Sequence, residues 1–146
     1  MRMFEHVRPT KAYFGLKDFQ QYLVIKRATP HFFSEVEIVG VPTVRSQNGL
    51  ALSSRNKRLN ALELEKSLAI SKALSCLKNA FNTEKLEKIL PKAKSIISSA
   101  GMQLEYLSVC NKHTLQAVNN WQKENENVAV CAAYMGQVRL IDNLIF

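Results

Sequence analysis

The sequence predicts an α/β protein: one edge of a parallel sheet, built as strand–helix–strand, followed by a small α+β unit of two helices on a three-stranded antiparallel sheet. Three observations carry this. Two short apolar runs, residues 11–15 and 35–41, flank a helical stretch, which is the spacing that a parallel crossover needs. Between residues 60 and 101 apolar residues recur mostly at spacings of three and four, the period of an amphipathic helix. From Met102 onward the pattern changes to runs of large apolar residues broken by a tight turn.

Each element has a local reason. Lys11-Ala12-Tyr13-Phe14-Gly15 reads as a short buried strand that ends in glycine. Asp18 can cap the next helix, whose apolar residues Leu23, Val24 and Ile25 carry it to about Ala28, with Pro30 as its limit. Val36, Ile38 and Val41 mark a second strand ended by Pro42. Two parallel strands cannot cover both their faces alone, so residues 1–56 are expected to be the C-terminal edge of a larger sheet and residues 57–146 a separate domain. There, Asn60 followed three residues later by Glu63 is a capping-box start, and Leu64, Leu68, Ile70, Leu74, Leu77 and Phe81 line the helix that follows. Thr83 can cap a second helix closed by Gly101, with a kink or break at Pro91. Residues 102–109 and 128–135 read as strands, and Gly136-Gln137 as a two-residue type II′ turn into Val138-Arg139-Leu140-Ile141. Asp142-Asn143 reads as a turn, and Trp121 as an anchor for the polar loop beside it.

Composition narrows the function classes. No apolar run approaches the ~20 residues of a membrane span, and the N-terminus lacks a signal peptide's apolar block, so a soluble, cytoplasmic protein is expected. Three cysteines without close pairing, Cys76, Cys110 and Cys131, speak against a zinc or redox motif. The formal charge of +8 is concentrated in residues 1–60, which hold ten Lys/Arg against four acids. That balance suits a polyanionic ligand, nucleotide or nucleic acid.

Two polar turns are placed to meet such a ligand. Gly15-Leu16-Lys17-Asp18 joins a strand to a helix N-terminus, where backbone N–H groups and the helix dipole favour anions, and Gln21 follows one turn beyond Lys17. Leu52-Ser53-Ser54-Arg55 offers two hydroxyls and a guanidinium that can fork onto a phosphate. An ordinary capped helix start and a solvated loop would use the same residue types.

The wording of these segments is more specific than their spacing. Val-Arg-Pro at 7–9, Phe-Gly-Leu-Lys-Asp-Phe-Gln-Gln at 14–21, Val-Gly-Val-Pro-Thr-Val-Arg at 39–45, Gly-Leu-Ala-Leu-Ser-Ser-Arg-Asn at 49–56 and Arg-Leu-Ile-Asp-Asn at 139–143 together resemble the pantothenate synthetase (pantoate–β-alanine ligase) family, over nearly the whole chain. The resemblance implies a Rossmann-like nucleotidyltransferase domain and an ATP-dependent ligase that joins pantoate to β-alanine through pantoyl adenylate, releasing pyrophosphate and AMP. It implies that Gly15, Leu16, Lys17 and Asp18 contact ATP, that Gln21 holds pantoate, and that Val44 meets the adenine through its backbone. It further implies that Leu52, Ser53, Ser54 and Arg55 form the mobile loop closing on the phosphates. Lys17 and Arg55 are the catalytic candidates, with Mg2+ on the phosphates and no metal site of the protein's own. No side-chain nucleophile is needed, because the substrates supply both.

Two departures stand out. Leu16 replaces the family's usual glutamate, and the family's His-x-Gly-His motif is absent. The expectation is therefore a C-terminal half with little or no activity alone, whether a cloned domain, a split gene or a remnant. Its partner would be a separately encoded N-terminal half, or a second copy in the homodimer of an intact enzyme. The rival is a basic, non-catalytic module for nucleic acid or protein. Against it, Glu63, Glu65, Glu84 and Glu87 alternate with the lysines of the helical region, as on a solvated face.

Overall fold

The computed structural model describes residues 2–146, which divide into two compact units: the first runs up to Thr43, the second is Val44–Phe146. The fold is mixed α/β, a two-stranded parallel sheet with helices in the first unit and helices with a three-stranded antiparallel sheet in the second. No helix of the described residues is long and apolar enough to cross a membrane.

The first unit contains α1 (Arg2–Val7), β1 (Lys11–Gly15), a 3-10 turn (Leu16–Asp18), α2 (Phe19–Phe32) and β2 (Glu37–Val41). Six residues are too few to show a helical period, so α1 left no signal in the sequence. β1 and β2 pair in parallel with Lys11 opposite Glu37, and the two side chains form a 2.9 Å ion pair. β1 is not the buried strand expected: Lys11, Tyr13 and Gly15 are exposed, Tyr13 by 66%. Two strands and one crossover helix leave alternate positions without cover.

α2 also runs past its expected end, continuing through Pro30 to Phe32. The carbonyl that a proline leaves without an amide partner is four residues back, at Lys26. Both residues are exposed, so that carbonyl is on the solvent side. The buried Thr29 hydroxyl donates to the Ile25 carbonyl at 2.7 Å, and Phe33 N–H closes the helix on the Thr29 carbonyl.

The second unit contains a 3-10 turn (Ser54–Arg58), α3 (Ala61–Asn79), α4 (Leu86–Ser99), β3 (Gln103–Asn111), β4 (Asn127–Met135) and β5 (Val138–Ile145), with β4 in the middle of the sheet. The capping box forms as its sequence predicts: Asn60 Oδ1 accepts from Glu63 N–H and Glu63 Oε2 accepts from Asn60 N–H, both at 2.9 Å. From there α3 buries Ile70, Ala73, Leu74 and Leu77, and α4 answers with Leu86, Ile89, Ala93 and Ile97. Ala73 and Ala93, both fully buried, let the two helices approach closely. Thr83 does not cap α4. Its hydroxyl donates back to the Ala80 carbonyl at 3.1 Å, closing α3, and Lys85 takes the cap position without a side-chain bond. α4 continues through Pro91 rather than breaking, because Glu87 and Pro91 both lie on its exposed side.

The sheet follows the apolar runs. Central β4 is buried along most of its length, and Met135 pairs with Val138 across Gly136-Gln137. Gly136 has φ 56°, the positive value that a type II′ turn requires of its first central residue. Trp121 does anchor its loop: its indole N–H donates to the Glu84 carbonyl at 2.7 Å and its ring meets Phe81 and Phe146 edge-on. Asp142 and Asn143 are not a turn. Both are buried inside β5, opposite Cys131 and Val130.

The division between units falls before Val44, whereas the sequence reading draws it after residue 56. Residues 44–56 go with the second unit because their polar groups are tied to it. The Arg45 guanidinium forks onto Asp142 at 2.6 and 2.9 Å, and a Cβ on Gly49 would lie 3.1 Å from the Ser71 hydroxyl on α3.

Candidate functional site

In the first unit, Gly15 leads into the 3-10 turn that carries Leu16, Lys17 and Asp18, and Gln21 is exposed in the opening turn of α2. Gly15 has φ −65° and ψ 125°, a conformation open to any residue, and a Cβ there would meet nothing within 4 Å. The chain itself therefore makes no use of the missing side chain. What the glycine leaves is bare backbone at the mouth of a helix. Asp18 occupies the cap position of α2 but makes no side-chain capping bond, so the plain capping role does not account for its carboxylate.

Leu16 has a different task from its neighbours. A Cβ on Gly40 would lie 2.7 Å from Leu16 Cδ2 and 3.1 Å from Tyr22 Cζ, so Leu16 and Tyr22 close over β2 in the space that glycine frees. The apolar side chain in this turn is used for packing. Gly40→Ala is expected to crowd both side chains and cost about 1–2 kcal/mol, read as a lower denaturant midpoint with shifted Leu16 methyl resonances. An unchanged midpoint and unchanged resonances would refute the packing account.

In the second unit, Val44 and Leu52 sit on the two arms of a short ladder. Arg45 and Ala51 form its antiparallel bridge, the Leu52 N–H donates to the Val44 carbonyl at 2.9 Å, and Ser46 N–H donates to the Leu50 carbonyl at 2.9 Å. Side chains alternate across such a pair. Arg45 and buried Ala51 take the inner face, while Val44 and Leu52, 66% and 49% exposed, stand together on the outer one. Two adjacent apolar side chains beside backbone polar groups suit a flat heteroaromatic ring.

Beyond Leu52 the chain turns into the 3-10 segment. Ser53 Oγ accepts from Arg55 N–H at 3.1 Å, so this hydroxyl shapes the turn, while Ser54 and Arg55 are exposed. Asn56 Nδ2 donates to the Ala51 carbonyl at 3.1 Å, and its Oδ1 is buried with no donor among the described residues. The other arginines of the motif segments are committed: Arg45 to Asp142, and Arg139 through a fork of 2.6 and 3.0 Å to Glu105, which holds that carboxyl below the usual range. Among the described residues the Arg55 guanidinium reaches the Arg139 carbonyl, at 3.5 Å.

The sequence-predicted residues thus fall into two groups: Gly15, Leu16, Lys17, Asp18 and Gln21 in the first unit, and Val44, Leu52, Ser53, Ser54 and Arg55 in the second. Sequence reasoning missed Arg45 and Asp142, which shape the second group. Among the described residues no three His, Cys, Asp or Glu come together in a group that could hold a metal ion. Burial, with the Asp142 charge as a lesser cause, pushes the Cys131 thiol up to about 12, and burial also raises Cys110, so neither is a nucleophile at neutral pH.

Comparison with known proteins covers the chain as a whole. The family model described as pantoate-beta-alanine ligase matches residues 1–145. The pantothenate synthetase of Bacteroides fragilis is 41% identical over 144 residues, covering 98% of this chain and 51% of that protein, and that of Shewanella denitrificans is 39% identical over 146 residues with 51% covered. The chain spans about half the length of the curated relatives it matches. Among solved structures, the Thermus thermophilus enzyme superposes with a TM-score of 0.91 at 34% identity, over 98% of this chain and 52% of that one. The Francisella tularensis ligase, solved with beta-gamma ATP and beta-alanine, gives 0.68 at 31% identity, over 98% and 46%. By sequence and by fold, this chain belongs to the pantoate–beta-alanine ligase family.

Proposed function

We propose that the chain supplies one part of an ATP-dependent ligase that condenses pantoate with β-alanine. In the first step a pantoate carboxylate oxygen attacks the α-phosphorus of ATP and the bond to pyrophosphate breaks, giving pantoyl adenylate. In the second the β-alanine amine attacks the acyl carbon, loses a proton, and AMP departs with the former carboxylate oxygen. Gly15, Leu16 and Asp18 contribute ATP contacts in the first unit, where Gln21 takes pantoate. Val44 and Leu52 receive the adenine end in the second unit, and Ser53, Ser54 and Arg55 reach the phosphates. Lys17 and Arg55 oppose the charge that grows on the phosphates as pyrophosphate leaves. Magnesium enters as part of the nucleotide substrate.

The observation that carries this reading is Gly15, whose bare backbone opens onto space with no conformational demand for glycine. Two others support it. Arg55 is not committed to a carboxylate as Arg45 and Arg139 are. The buried Asn56 Oδ1 lacks a donor among the described residues, which costs about 1–3 kcal/mol and lowers the cost of moving residues 53–56. A partner supplying the rest of the enzyme, as a separately encoded N-terminal half or within a homodimer, fits the uncovered sheet of the first unit. Tyr13, Val24, Phe32 and Val41 are exposed around it.

Titrating the isotope-labelled chain with Mg-ATP tests the assignment. Resonance shifts should concentrate at residues 15–18, 44 and 52–55. Shifts confined to other residues would overturn it. The chain alone should form little or no pantothenate, and formation at the rate of an intact enzyme would overturn the claim that these residues are only one part of the ligase.

A further inference from the structure

We propose that Asp142 is a positioning residue for nucleotide binding: acting through Arg45, it holds the ladder that presents Val44 and Leu52. The inference rests on the reading above, in which those two residues meet ATP. Asp142 lies on the same side of β5 as buried Val138 and Leu140, two of the core residues packed under the helices, and its side chain is only 4% exposed. A carboxylate in such a place needs a cation and further donors.

Arg45 provides the cation, and it does more than neutralise. Its Nη1 donates to Asp142 Oδ2 at 2.6 Å and to the Gly49 carbonyl at 3.0 Å; its Nη2 donates to Asp142 Oδ1 at 2.9 Å and to the Asn143 carbonyl at 3.1 Å. One guanidinium therefore joins β5 to the turn that links the two arms of the ladder. Asp142 Oδ1 also accepts from Asn143 N–H at 2.8 Å, which fixes the carboxylate's own orientation.

The ladder needs this support. It has a single bridge pair, and a hairpin so short does not hold its shape in water by itself. Its geometry is imposed from the inner face, by the Arg45 fork, the burial of Ala51 and the seat of Gly49 against Ser71. Of these only the fork fixes both direction and register, because two parallel hydrogen bonds define a plane. Without it Val44 and Leu52 lose their common outward orientation, although neither touches Asp142.

The test compares wild type, Asp142→Asn, which keeps the shape and loses the charge, and Arg45→Lys, which keeps the charge and loses the fork. Amide exchange and Mg-ATP titration of the labelled chain are read together. Asp142→Asn is expected to speed exchange at the Ser46 and Leu52 amides while β4 stays protected, and to weaken Mg-ATP about tenfold, with Arg45→Lys in between. In the active enzyme the same change should appear in the ATP KM and leave kcat nearly constant. Unchanged ladder exchange and unchanged affinity in both variants overturn the inference, as does loss of protection throughout β4, which marks a merely structural role. Should Asp142→Asn fail to fold, Arg45→Lys alone decides by the same readouts. If wild type binds Mg-ATP without moving Val44 or Leu52, the nucleotide reading falls and takes this inference with it; variant effects absent against a responsive wild type sink the inference alone.

Discussion

Replacing Arg55 by alanine in the active enzyme should lower turnover by about two to three orders of magnitude, the usual loss for one preorganised donor facing developing charge. Lys17→Ala should fall by a similar factor. The prediction is strongest for Arg55 because the fold barely uses it. Its guanidinium is exposed and makes one long contact to a carbonyl, so truncation should shift stability by no more than about 0.5 kcal/mol. Loss of turnover with an unchanged melting curve separates a role at the phosphates from a role in folding. Arg55→Lys keeps the charge without the fork and should recover part of the rate. Single-turnover release of pyrophosphate is the measurement, since it separates the first step from the second. Near-normal rates in both alanine variants would remove Lys17 and Arg55 from the mechanism.

Arg45→Ala is expected to have the largest effect on stability, about 3 kcal/mol, because it strands a buried carboxylate among apolar neighbours. Asp142 is 4% exposed and its partner 26%, so some water reaches the guanidinium and the lower end of the range for broken buried pairs applies. For a unit of this size the loss corresponds to a fall of roughly 10–20 °C in melting temperature. The double replacement Arg45→Met with Asp142→Leu should recover most of it, because no charge is then left unpaired and the volume is kept. Denaturant unfolding of the two single variants and the double variant measures the coupling. Additive losses would show that the two residues do not act as a pair.

The elements legible in advance share one property: their causes lie within a few residues of each other. The capping box needs only Asn60 and Glu63, the helix α3 only its own spacing, the β4–β5 turn only Gly136 with a partner on either side. Misreadings came where a residue's meaning depends on something distant. Pro30 reads as a helix limit and Pro91 as a kink or break, yet both helices continue through them because the prolines fall on exposed sides, a matter of which face is buried. Leu16 reads as an odd member of a contact turn until Gly40, on strand β2, reveals the space it fills.

The candidate site divides along the same line. Gly15, Lys17, Gln21 and the Leu52 to Arg55 segment were visible as short motifs, because anion-binding turns are local arrangements of glycine, donors and a helix start. Asp142 was not. A polar pair near the end of a chain reads as a turn, and nothing nearby contradicts that. Its partner lies 97 residues away, and only folding brings the two to 2.6 Å. The order of residues was thus enough to specify the capping box, the helix α3 and the β4–β5 turn, since those are made by neighbours. Which polar residues share the interior was decided by the folded chain, because burial brings a carboxylate and a guanidinium together from any distance along it.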